Sequence, residues 1–122
     1  MLTELSGEII GAAIEVHRIL GPGLLESIYE EALVVELQDR EIDVQRQIEV
    51  PIEYKGRRLG NSLRLDLLVG GQIVVEVKSV ERILPVHEAQ LLGYLRMTSK
   101  RLGLLINFNS AVLSKSIRRI VN

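Results

Sequence analysis

The chain has no cysteine and no tryptophan, and only four aromatic side chains among its 122 residues: Tyr29, Tyr54, Tyr94 and Phe108. Without cysteine there are no disulfides, no zinc–thiolate sites and no thiol catalysis. That absence suits a reducing compartment, and the expected location is cytoplasmic. Four aromatics are too few for the stacking platform of a single-strand nucleic-acid binder. No apolar run approaches the roughly 18 residues of a membrane span, so no membrane partner is expected. The opening Met1-Leu2-Thr3-Glu4 carries no basic segment leading into an apolar stretch, as a signal peptide would. Gly21-Pro22-Gly23 lacks a preceding strand and a Walker lysine, which excludes a nucleotide hydrolase of that type. No serine sits in a nucleophile elbow.

What is present is ordinary for a globular protein: 47% hydrophobic, 25% charged and a formal net charge of −1. The length predicts one domain over residues 1–122, large enough to bury a core without staples. Charge is unevenly spread. Residues 1–88 hold all 16 acids and nine of the 15 bases, a balance of −7, whereas residues 89–122 hold six bases and no acid. Such a split fits a basic surface for phosphate beside an acidic metal site, but helix ends and loops that collected Lys and Arg explain it as well.

Apolar residues Leu2, Leu5, Ile9, Ala13, Val16 and Leu20 recur at intervals of three and four, the stripe of a helix over 2–20. Gly21-Pro22-Gly23 should end it. A second helix is expected over 24–38, with Glu26, Tyr29, Glu30 and Leu33 on one stripe. The period then changes to two over 44–54, a half-buried strand, in which Pro51 favours an edge position or a bulge. Lys55-Gly56 begins a turn, and strands are expected over 63–69 and 73–78. Pro85 opens a helix reaching residue 99. The apolar run 102–108 reads as a buried central strand. The tail 114–121 fits a strand or a short helix. The expected class is therefore α/β, a mixed four-stranded sheet flanked by helices, ordered helix, helix, three antiparallel strands, helix, strand.

The two strands around Gly70-Gly71 fix a register. A two-residue loop would mix apolar and polar faces. A three-residue loop, Gly70-Gly71-Gln72, pairs Val69 with Ile73, Leu67 with Val75 and Leu65 with Val77, keeping the odd-numbered residues on one face. It also sets Asp66 opposite Glu76 and Arg64 opposite Lys78. Two carboxylates side by side on a half-buried surface need a neutraliser, which Lys78 or a divalent cation would supply. Oxygen ligands of this kind suit magnesium or manganese rather than zinc. A salt-bridge cluster of Asp66, Glu76, Arg64 and Lys78 is the structural alternative.

Asp66, nine intervening residues and then Glu76-Val77-Lys78 resembles the PD-(D/E)xK nuclease pattern. Gln90 and Tyr94 form a Q-x-x-x-Y pair similar to one that follows the E-x-K of helicase-attached exonuclease domains. Gly23-Leu24-Leu25-Glu26-Ser27-Ile28-Tyr29 resembles G-x-x-E-x-x-Y, the signature of a family of small proteins placed in the same superfamily. The resemblance runs from the first helix to the 102–108 strand and implies a restriction-endonuclease-like core. It also implies a metal-dependent nuclease acting on nucleic acid, with DNA ahead of RNA. Glu26, Asp66, Glu76 and the Val77 carbonyl would hold Mg2+, with Mn2+ also fitting. Lys78 would orient or activate water and stabilise charge on the phosphate, and Gln90 and Tyr94 would position the lysine and a phosphate oxygen. Asp66, Glu76, Lys78, Gln90 and Tyr94 are thus the catalytic set. Leu65 stands where a proline is usual before the first aspartate. The chain shows no clamp or lid, and its net charge is low for a free-standing nuclease. The alternative is a non-catalytic nucleic-acid-binding or protein-interaction module on the same fold, and a homodimer or protein partner stays open.

Other residues take the plainer reading. His17 is expected to be a partly buried structural residue rather than a further ligand. His87 should face solvent. Tyr29 should pack its ring against the sheet and bond locally through its hydroxyl. Glu30 and Glu31 read as solvated helix charges, and Arg118 and Arg119 as solubilising.

Overall fold

A computed structural model describes all 122 residues. The elements follow as helix α1 (Leu2–Leu20), α2 (Glu26–Asp39), strands β1 (Val44–Tyr54), β2 (Arg57–Val69) and β3 (Ile73–Lys78), then α3 (Pro85–Thr98), β4 (Leu102–Asn107), a 3₁₀ turn (Leu113–Ser116) and β5 (Ile117–Val121). The strands form one sheet in the order β1-β2-β3-β4-β5. All neighbours are antiparallel except β3 and β4, which run parallel because α3 carries the chain across between them. This is a mixed α/β sheet consistent with the expected restriction-endonuclease-like core. It has five strands, not four: the tail becomes β5, pairing with β4 from Leu102↔Val121 to Ile106↔Ile117. No helix is long and apolar enough to cross a membrane.

Helices cover both faces. Ile9, Ala12, Ala13 and Val16 of α1 and Leu33 and Leu37 of α2 pack on Leu67, Val69, Val75, Val77, Leu104 and Ile106. On the other face, Leu91 and Leu95 of α3 pack on Leu65, Val74 and Leu105. β3 and β4 are therefore mostly apolar, as strands covered on both sides are, with Glu76, Lys78 and Asn107 as the polar exceptions towards their C-terminal ends. Gly103 lets α3 approach: a Cβ there would lie 2.9–3.0 Å from the side-chain carbons of Leu91.

The three-residue loop is observed. Both its glycines take positive φ (59° and 66°), and Val69 pairs with Ile73 and Leu67 with Val75. The ladder stops there, so the expected pairs Asp66–Glu76, Leu65–Val77 and Arg64–Lys78 do not form as ladder partners. The odd-numbered set of β2 also divides. Leu67 and Val69 face α1 and α2, whereas Leu65 faces α3. The change of face falls at Asp66. Its neighbour position on β1, Gln47, has φ 51° and is missing from an otherwise continuous run of pairs from Val44↔Val69 to Pro51↔Ser62. Both strands kink together, and the expectation of one unbroken alternation fails because a kink in the pair reverses which side each later residue meets.

Candidate active site

The kink opens a gap between β2 and β3, and the two carboxylates fill it. The Asp66 N–H donates to Glu76 Oε2 (3.0 Å), and the Val77 N–H donates to Asp66 Oδ2 (2.9 Å). Each carboxylate thus takes the place of a carbonyl that the ladder would have offered. Glu76 is 4% exposed and Asp66 is half-buried. Burial, and then the charge of Asp66 beside it, pushes the Glu76 carboxyl up to about 8. Burial likewise holds Asp66 above the ordinary aspartate range, with Glu30 and Glu26 adding to the effect. Lys78 opposes both shifts through its charge, yet it forms no ion pair with either carboxylate. The salt-bridge cluster with Arg64 is therefore not what stands here.

A cavity of about 260 Å³ opens on the Asp66 side of this pair, lined by Glu26, Ser27, Glu30, Gln47, Asp66 and Val77. Glu26 is the first residue of α2, and local bonds place it. The Tyr29 hydroxyl donates to the Gly21 carbonyl (2.5 Å) and accepts from the Leu24 N–H (3.0 Å), closing the turn ahead of the helix. Gly21 and Gly23 have φ 70° and 97°, conformations that favour glycine. The Tyr29 ring is fully buried and stacks on Phe108, centroids 4.6 Å apart and planes at 8°. Glu26 Oε2 then accepts from the Ser79 N–H (3.1 Å), and Ser79 Oγ donates to the Leu24 carbonyl (2.6 Å). The G-x-x-E-x-x-Y run is a fastening between the start of α2 and the end of β3.

Glu30 corrects an expectation. It is 5% exposed, pairs with Arg46 (2.8 Å) and accepts from Gln47 Nε2 (2.6 Å). A solvated reading fails because α2 lays this stripe against β1. The signal was present, since Glu30 lies one turn beyond Glu26 on the stripe that also holds Tyr29 and Leu33. Glu31 is exposed as expected. Arg46 and Gln47 gave no comparable signal, because the backbone reversal at Gln47 is what aims its side chain.

The remaining residues divide. Tyr94 of α3 is partly buried, and burial, followed by the charges of Glu76 and Asp66, raises its phenol above the ordinary value. It is therefore a protonated group within range of both charges. Gln90, one turn earlier, is exposed and hydrogen-bonds to no site residue. His17 Nε2 meets the Ser110 carbonyl (2.7 Å), and His87 Nδ1 accepts from the Leu84 N–H (3.0 Å). The first joins α1 to the loop after β4 and the second caps α3. Both histidines are occupied by structure.

The donor set tests well against a hard divalent cation in one respect and less fully in another. Asp66 and Glu76 are oxygen donors held side by side by backbone N–H groups, with no cation paired to them. No three carboxylate or imidazole groups, however, converge closely enough to share one ion. Glu26 sits in the same cavity wall but is turned to Ser79.

No curated protein and no solved structure matches the chain significantly. A family model for the PD-(D/E)XK nuclease superfamily matches residues 3–120. The match spans both helices ahead of the sheet, the carboxylate pair and the last strand, and the chain belongs to the PD-(D/E)XK nuclease superfamily.

Proposed function

We propose that the protein is a metal-dependent nuclease that hydrolyses phosphodiester bonds in DNA, working as one cytoplasmic domain of the GxxExxY type. The observation that carries this is the Asp66–Glu76 pair, interlocked at a break in the sheet, unneutralised by any ion pair and adjacent to Lys78. Asp66, Glu76 and the Val77 carbonyl would hold Mg2+ or Mn2+, with Glu26 completing the set from the cavity wall. The ion would supply a nucleophile at neutral pH and an electrophile for the phosphoryl oxygens.

The chain's own groups carry the rest. Lys78 places a fixed positive charge where negative charge grows on the phosphate, and it orients the attacking water. Tyr94, kept protonated, donates a hydrogen bond to a non-bridging oxygen. Gln90 reaches the same phosphate from one turn earlier on α3. Arg46 and Gln47 hold Glu30 in place, so that its charge faces the cavity without drifting into it.

The second reading, a binding module without turnover, is favoured by the lack of three converging ligands. Cleavage of labelled single-stranded and duplex DNA and RNA in Mg2+ or Mn2+, run beside Lys78→Ala, decides between them. Parent cleavage that falls by about 100-fold or more in the variant is expected, the usual loss for one such stabilising charge. Equal cleavage by both marks a contaminant. No cleavage by the parent under any ion overturns the enzyme reading.

A further inference from the structure

Strand β2 begins at Arg57, several residues before its expected start, and over residues 57–66 it pairs with β1 alone, because β3 joins only at Leu67. The outer halves of β1 and β2 therefore leave the body of the sheet as a two-stranded ribbon. Lys55 and Gly56 close it, both at positive φ (51° and 78°), the turn geometry that matches the right-handed twist of flanking strands. Between Pro51↔Ser62 and Glu53↔Arg58 the register shifts, so that Ile52 alone faces Leu59, Gly60 and Asn61. A bulge of this kind bends the ribbon and increases its twist. Every residue from 53 to 62 is exposed. A bare hairpin is at best marginally stable in water, so this segment contributes little to the core.

Its charge is of the opposite sign to the chain's. Residues 49–64 carry Lys55, Arg57, Arg58 and Arg64 against Glu49 and Glu53, a balance of +2 in a protein of net −1. None of the four bases is in an ion pair; the three ion pairs of the molecule join other residues. Glu49 is engaged by the Ser62 hydroxyl (3.0 Å), while Glu53 lies across from Arg58 in the ladder. The ribbon also springs directly from the site, since Asp66 stands at its root. From Asp66 to Arg57 an extended strand spans up to about 30 Å at ~3.3 Å per residue. That is close to one turn of a B-form duplex, roughly 34–36 Å.

We propose that the β1–β2 ribbon is a docking arm for duplex nucleic acid, with Arg64 on the phosphates beside the bond at Asp66 and Lys55, Arg57 and Arg58 at the tip, seated on the phosphate backbone about one helical turn away. A two-stranded ribbon is narrow enough to follow the major groove, and unpaired Arg and Lys on its edges meet phosphates as it does so. The arm answers the lack of any clamp in so small a chain. The identity of its polyanion rests on the nuclease reading. Cations on an open edge also block edge-to-edge pairing of sheets, a role that needs no ligand.

The test is duplex binding by the full chain carrying Lys55→Gln, Arg57→Gln and Arg58→Gln, in a Lys78→Ala background so that cleavage does not intervene. Binding to a labelled duplex of about two helical turns is followed over a salt series. The triple variant should bind more weakly, and the slope of log K against log salt should fall by up to about 2.7, at ~0.9 per phosphate contact. Its thermal melting should match the parent's, because all three side chains are exposed. Unchanged affinity and slope, or no duplex binding by the Lys78→Ala parent, overturns the arm. Arm-dependent binding without cleavage under any ion leaves the arm standing and removes the enzyme. With Lys78 restored, cleavage indifferent to the three substitutions does the reverse.

Discussion

Replacing Glu76 with glutamine should make the protein more stable at high pH and leave it nearly unchanged at low pH. Glu76 is raised from 4.5 to about 8 by burial and by Asp66 beside it. Below pH 4.5 the folded and unfolded chains both hold this proton, and the titration of Glu76 costs nothing. Between about 4.5 and 8 the unfolded chain releases the proton while the folded chain keeps it. Folding then binds protons, and stability falls as pH rises. Above pH 8 the full penalty is in place, about 5 kcal/mol for the shift at 1.36 kcal/mol per pKa unit. That is a large share of the roughly 5–15 kcal/mol by which domains are stable. The substituted amide would keep an oxygen for the Asp66 N–H and have no proton to lose. Urea denaturation in a chelator at pH 5, 7 and 9 reads the difference between the parent and Glu76→Gln. The variant should lie within about 1 kcal/mol of the parent at pH 5 and exceed it by several kcal/mol at pH 9. Parallel curves for the two proteins would refute the assignment of the penalty to Glu76. Millimolar Mg2+ should raise the parent's midpoint at pH 8 more than the variant's, since an ion that binds only the folded site stabilises it by linkage.

Two further substitutions test the scaffold behind the site. Tyr29→Phe keeps the stack on Phe108 but leaves the Gly21 carbonyl and Leu24 N–H without their partner. A loss of about 1–3 kcal/mol is expected in denaturant unfolding, with faster amide exchange at Leu24. Gly103→Ala sets a methyl group against Leu91 and should cost about 1–3 kcal/mol by overpacking, read as a lower melting temperature. Because it pushes α3 outward, it should also lower the phenol pKa of Tyr94, followed by ultraviolet titration. Leu91→Ala in the same protein should recover part of the loss.

Much of this protein could be read from spacing alone. Hydrophobic period three-to-four placed α1 and α2, and the Gly21-Pro22-Gly23 break fell where the first helix ends. Matching apolar faces across Gly70-Gly71-Gln72 was enough to choose the loop length, because a one-residue slip would have turned every side chain over. Pro51 was confined to an edge strand beside a bulge, since it has no N–H to give a ladder. These are local rules, and neighbouring residues in the chain carry them.

What the tertiary structure decided lies where two distant segments meet. That Asp66 and Glu76 would each bond the other strand's backbone depends on the paired kink at Gln47 and Asp66, a property of the β1–β2–β3 junction that no single strand encodes. Glu30 is buried only because α2 lies against β1 and meets Arg46 there. The last strand was undecided because five residues of weak alternation form a strand only when β4 offers them an edge. The docking ribbon was hidden for the same reason: residues 57–62 lack a buried face, so no hydrophobic period marks them, and only pairing with β1 makes them strand. Sequence determines what each segment can be, through its own period and turn chemistry. Burial and neutralisation are settled between segments, because each depends on which groups the fold sets side by side.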